Sequence, residues 1–152
     1  MKQMQGKLYG KLAIMAVIHF AAMYALMYAM VNSFDNVYPS LNQFYMAGLM
    51  TAPMLILEVL LMRSMYENQK ANALIIASSA IVLIAFFIFI RSQTAIGDKQ
   101  FLKSMIPHHS GAILMCRKAT IRDADLKRLC QQIISGQQAE IDQMKAKLGT
   151  LD

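Results

Sequence analysis

The chain has 152 residues, one domain's worth by length. Its hydrophobic fraction of 57% and mean hydropathy of +0.39 exclude an ordinary soluble domain of this size. The net charge of +6 comes without a basic patch interleaved with aromatics, so nucleic acid is not an expected partner.

Three stretches meet the roughly 20 helical residues needed to cross a bilayer core: Leu12 to Val31, Phe44 to Met62, and Asn72 to Ile90. Together they hold only two acidic or basic side chains, His19 and Glu58. Lys2, Lys7 and Lys11 precede the first stretch, as they would in a signal peptide. Its apolar run exceeds the roughly 7–15 residues of such a peptide, and no small-x-small cleavage site follows. It reads as a retained span.

The flanks predict orientation. Three lysines precede the first span, and Arg63 and Lys70 lie between the second and third, whereas the 32–43 loop carries Asp35 and no Lys or Arg. By the positive-inside rule the amino terminus faces the cytoplasm and the carboxy-terminal segment lies on the opposite side. Arg91 alone runs against this.

Fourteen methionines are present, and the third span contains none. In the first span Met15, His19, Met23, Met27 and Met30 follow at steps of four, four, four and three. In the second, Met46, Met50, Met54, Glu58 and Met62 recur every four. At about 100° per residue each set is a slanted stripe on one helix side. Small residues (Ala21, Ala25 and Ala29, then Gly48 and Ala52) oppose the stripes and would let helices approach closely. Thioether and imidazole suit copper, thioether favouring Cu(I), and an ionisable group within a span marks a pathway or a buried pairing. His19, Met23, Met27, Met46, Met50, Met54 and Glu58 are therefore candidates for a transmembrane soft-metal path. The alternative is that methionine packs the core as a flexible filler and His19 hydrogen-bonds Glu58 or a carbonyl. Pro53 frees the Leu49 carbonyl under either reading.

From Gly97 the pattern becomes amphipathic. Asp98 is placed to cap a helix running to about Ala119, with a kink or fresh first turn at Pro107. A turn at 122–125 and a capping aspartate precede a second helix that Gly149 ends. Its seam reads Leu126, Leu129/Cys130, Ile133/Ile134, Gln137, Ile141, Met144 and Leu148. Met105, His109 and Cys116 share one face of the first helix, with His108 and Met115 on the adjoining strip. Folding the helices antiparallel about Asp123 sets Cys116 opposite Cys130, His109 opposite Gln137, and Met144 near Met105. The cysteines could form a disulfide, join His109 as metal ligands, or simply face each other as small buried side chains.

The run Asp98-x2-Phe101-x3-Met105-Ile106-Pro107-His108-His109-x2-Ala112-x2-Met115, with Ile134-x2-Gln137-x2-Glu140-Ile141-x2-Met144, resembles the family called domain of unknown function 305 over roughly residues 97–148. The resemblance implies a ferritin-like helical hairpin and, for some members, periplasmic copper binding through Met and His. Carried over, it implies Met105, His108, His109, Met115 and Met144 as ligands, with no metal role for Gln137 or Glu140. The chain departs from the pattern in Lys145-Ala146-Lys147-Leu148, where an aromatic is expected, in Cys116 and Cys130, and in having one hairpin. One hairpin cannot complete a four-helix bundle, so dimerisation or packing on the spans is expected.

The expected fold is an all-α membrane protein: a three-span transmembrane domain over 1–93 and an extracytoplasmic hairpin over 97–149. No catalytic constellation is present, so an enzyme is not expected. The leading functional expectation is a bacterial inner-membrane protein that binds copper as Cu(I), or another soft or borderline metal. It would serve copper handling or tolerance, with a periplasmic hairpin that self-associates. The alternative is a self-associating structural or regulatory membrane protein without a metal.

Overall fold

Asn68 starts the most apolar helix by accepting the Ala71 N–H at 3.1 Å, a side-chain cap that satisfies one of the orphan donors of the first turn. The computed structural model describes residues 2–151, with side chains from Gln5 onward; the Lys2 side chain invoked for orientation lies outside them. The described residues are all helical or loop: α1 (Lys2–Leu26), 3-10 turns at Met27–Met30 and Phe34–Asn36, α2 (Leu41–Leu61), α3 (Gln69–Ser92), α4 (Asp98–Lys118) and α5 (Ala124–Leu148).

Three helices are long and apolar enough to cross a membrane: Gln5–Met30, Leu41–Leu61 and Gln69–Ser92. Within the second, 33% of the apolar window is buried inside the protein, against 6% in each of the others. α2 is therefore the central helix, and α1 and α3 turn most of their apolar surface outward.

The chain divides into two compact units: residues up to Leu26 with Gln43–Thr94, and Met27–Asn42 with the chain from Ala95 onward. In the first unit, Leu12, Val59 and Tyr66 form a buried cluster joined by Tyr9, Leu55 and Ile75. Asn72 ties the same region together, accepting from the Tyr9 hydroxyl at 2.7 Å and donating to the Tyr66 carbonyl at 2.7 Å. Further along, rings of all three helices interlock, Phe20 on Phe44 at 5.0 Å and Phe44 on Phe86 at 6.0 Å. Gly48 makes that packing possible, because a Cβ there would run into the Phe86 ring. Gly48 and Ala52 are buried, whereas Ala21, Ala25 and Ala29 are exposed. The close approach expected of small residues is used on α2 and not on α1.

The second unit is the hairpin plus residues 27–42, which join the end of the expected first span to the loop after it. Ile106, Ile113 and Ile141 are completely buried between α4 and α5, with Tyr38, Ile134, Met144 and Leu148 packed on them. Tyr38 comes from the 27–42 segment, which is also pinned by polar bonds. The Asn42 amide donates to the Ser104 hydroxyl at 2.9 Å, and the Leu41 N–H donates to Gln100 Oε1 at 3.0 Å. The hairpin thus gains a third layer from its own chain.

Several local expectations change. α4 begins after Gly97, with Asp98 as its first-turn acid and not its cap, and it runs unbroken through Pro107. Asp123 caps α5, accepting the Asp125 and Leu126 N–H groups at 2.9 Å. The seam of α5 is buried only in part: Leu126 and Leu129 are about half exposed, at 53% and 49%.

Candidate metal centre on the hairpin

Met105 and His109 stand one turn apart on α4, and Glu140 and Met144 one turn apart on α5. Residues four apart share a helix face. His109 Nδ1 lies 2.9 Å from the Met105 carbonyl oxygen, and its Nε2 lies 2.8 Å from Glu140 Oε2. Because the helices are antiparallel, stepping back from His109 to Met105 and forward from Glu140 to Met144 moves toward the same end of the hairpin. Met105, His109, Glu140 and Met144 thereby fall on two facing turns of the hairpin.

The imidazole is oriented as metal-binding histidines usually are, with Nδ1–H given to a backbone carbonyl and Nε2 turned outward. Nε2 meets a carboxylate oxygen, which only accepts, so the pair closes only with a cation between the two atoms. A proton fills that role at the observed distance, and a metal ion competes for the same two atoms. His109 is 13% exposed and Glu140 57%, so one partner is held in the hairpin and the other is reached by solvent. Such a half-exposed ion pair adds little to stability by itself. Gln137, one turn before Glu140, carries a buried Oε1 with no hydrogen-bond partner among the described residues.

The expected ligands are not all brought together. Met144 is packed on the Ile106, Ile113 and Ile141 cluster. His108 is exposed, its ring 6.0 Å from that of His109. Met115 is 53% exposed, more than two turns beyond Met105. Cys116 and Cys130 are joined as a disulfide with Cα atoms 5.2 Å apart, which corrects their assignment as metal ligands: neither sulfur is a free thiolate. His109 meets Glu140 instead of Gln137, a rotation of less than one turn from the symmetric fold about Asp123. Glu140 was missed as a partner although the motif contains it, because its role depends on the rotation of α5 about its axis. Among the described residues no three His, Cys, Asp or Glu side chains converge on a point. A site here therefore depends on thioether sulfur, which selects for soft cations.

In the first unit the methionine stripes are mixed, with Met23 and Met54 half-buried and others exposed. Met15, Met46 and Met50 are 36%, 38% and 44% exposed, so burial does not account for them. His19, Met23, Met50, Met54 and Glu58 line one groove. Met46 is not among its walls, and Met27 falls in the other unit. Five of the stripe residues thus share one groove. Glu58 Oε1 accepts from the Tyr66 hydroxyl at 3.4 Å, not from His19.

The family model described as Domain of unknown function (DUF305) matches residues 58–148. It reaches well before the hairpin motif and takes in all of α3. An uncharacterized protein of Acanthamoeba polyphaga mimivirus is 38% identical over 140 residues, covering 90% of each chain. No solved structure matches.

Proposed function

The chain belongs to the family described as Domain of unknown function (DUF305), and on that premise we propose that it is a membrane-anchored copper-binding protein serving copper handling or tolerance. The reading places it in a bacterial inner membrane, with the hairpin on the periplasmic side and Cu(I) as the bound form. The observation that carries it is the His109–Glu140 contact at 2.8 Å, flanked one turn away by Met105 and Met144. The His109 and Met105 side chains would hold the ion, Met144 would add a second thioether, and Glu140 would supply balancing charge. His108, exposed beside them, is placed to bring an ion in from solvent.

The 27–42 segment and the hairpin form one compact unit. That supports their lying on the same side of a membrane, as the lysine distribution predicts. The disulfide supports an oxidising compartment.

Titrating the purified full chain in detergent with Cu(I) tests the proposal, against the variant His109→Ala with Met105→Leu. The wild type should bind about one equivalent more than the variant. Equal binding by both would remove the hairpin from any metal role.

A second reading is favoured by Leu126, Leu129 and Met115, which are each about half exposed (53%, 49% and 53%) near the end of the hairpin that the disulfide closes. In that reading the hairpin self-associates and the protein is structural or regulatory. It predicts that Leu126→Glu with Leu129→Glu yields a smaller particle in detergent while metal content stays the same.

A further inference from the structure

We infer that the first unit carries its own soft-cation site, in the groove between α1 and α2, built from His19, Met23, Met50 and Met54 with Glu58 as its counter-charge. The groove has a volume of about 450 Å³, and its other walls are apolar. It uses no residue of the hairpin, so it stands or falls separately from the function proposed above.

Three observations converge. First, His19 lies partly buried on an otherwise apolar stretch, and makes no hydrogen bond or ion pair among the described residues. An imidazole left unpaired among hydrocarbon is costly, so an unpartnered one points to something it binds. Second, the groups gathered around it are thioethers, from Met23 on the same helix and from Met50 and Met54 on the next. Thioether is an indifferent ligand for hard ions and a good one for a soft monovalent cation. Met23 and Met54 are half-buried and Met50 is 44% exposed, so the three thioethers edge an open groove. Third, neutral sulfur and nitrogen donors leave a bound monovalent cation with its full charge in an apolar setting. Glu58 lines the same groove, and one carboxylate cancels one such charge. A divalent ion would leave an uncompensated charge and would need more oxygen donors than the groove offers.

Tyr66 sets the order of these interactions. Its hydroxyl reaches Glu58 Oε1 at 3.4 Å, a long bond that uses one of the two carboxylate oxygens. Pro53, also on the groove wall, removes a backbone donor from α2 at the level of the methionines.

Ag(I) is the probe, because it has the ligand preferences of Cu(I) without needing a reductant that would open the disulfide. The full chain in detergent is measured by equilibrium dialysis, in a background with the hairpin ligands removed (Met105→Leu, His109→Ala, Met144→Leu). One equivalent of Ag(I) should remain. Adding His19→Leu with Met50→Leu should weaken it by at least about tenfold, the lower end of what losing a metal-site partner costs. His19→Met with Met50 intact restores a soft donor and should recover the binding. Should the leucine variant unfold, Met50→Leu with Met54→Leu provides the same comparison with smaller change. Unaltered Ag(I) binding in the leucine variants overturns the site. So does proteoliposome proton flux that Glu58→Gln abolishes while Ag(I) has no effect on it, since the groove would then carry protons. Retention of the hairpin equivalent in the background chain would count against the hairpin alone.

Discussion

Ser110, completely buried on α4, holds Asn32 across 78 residues of sequence: its hydroxyl accepts the Asn32 N–H at 2.7 Å and donates to the Asn32 side-chain oxygen. Asn36 Nδ2 adds a longer bond at 3.4 Å. One donor and two acceptor sites are all that a hydroxyl has, and each is used. Replacing Ser110 with Ala strands the part-buried Asn32 N–H, while the Asn32 and Asn36 side chains keep their own bond at 2.8 Å, at a cost of about 1–3 kcal/mol. Hydrogen exchange should then speed up across residues 31–42 while the core of α3 is unchanged. Protection unchanged in that segment would mean the bonds do not hold it.

The disulfide closes a loop with a sequence separation of 14. Loop entropy gives such a link about 3 kcal/mol. Without reductant, neither cysteine should react with a thiol-alkylating reagent, as read by mass spectrometry. Cys130→Ser should lower the unfolding temperature of the hairpin, and metal binding at His109 should survive the change.

Glu140→Gln keeps an acceptor beside His109 Nε2 and removes the charge. Metal affinity at the hairpin should drop by about 10–100-fold while thermal stability moves little, because Glu140 is 57% exposed. A large stability loss with unchanged affinity would make the pair structural.

Gly48→Ala places a methyl group against the Phe86 ring. Overpacking of this kind costs about 1–3 kcal/mol, visible as a lower midpoint of thermal unfolding in detergent. Adding Phe86→Leu should return part of the loss. If Gly48→Ala alone is neutral, α2 and α3 are not packed as described.

Burial raises the Tyr66 pKa above its ordinary 10.0, and the nearby Glu58 charge and hydrogen bond raise it further. The folded chain therefore holds this proton more tightly than the unfolded chain. The resulting stability is complete below pH 10 and is lost as pH climbs through the raised value. Phenolate absorbance should develop later in the wild type than in Glu58→Gln. Coincident titration curves would show that the carboxylate does not act on Tyr66.

The sequence by itself determined the helices and their types. Apolar length, the 3.6-residue period and caps are local properties; Asp123 caps in the structure, whereas Asp98 lies one residue inside its helix. It also brought Cys116 opposite Cys130, because an antiparallel hairpin with a short turn has its register set by the turn position. It did not determine which side chains share a site. That depends on how each helix is rotated about its own axis, and less than one turn separates Gln137 from Glu140 as the partner of His109. The same rotation puts Met50 and Met54 in the groove and leaves Met46 out of it. Nor did it reveal the 27–42 segment as the third layer of the hairpin. No periodic pattern records a cover made of single polar bonds between residues some 60 to 78 apart, and only the folded chain brings such residues together.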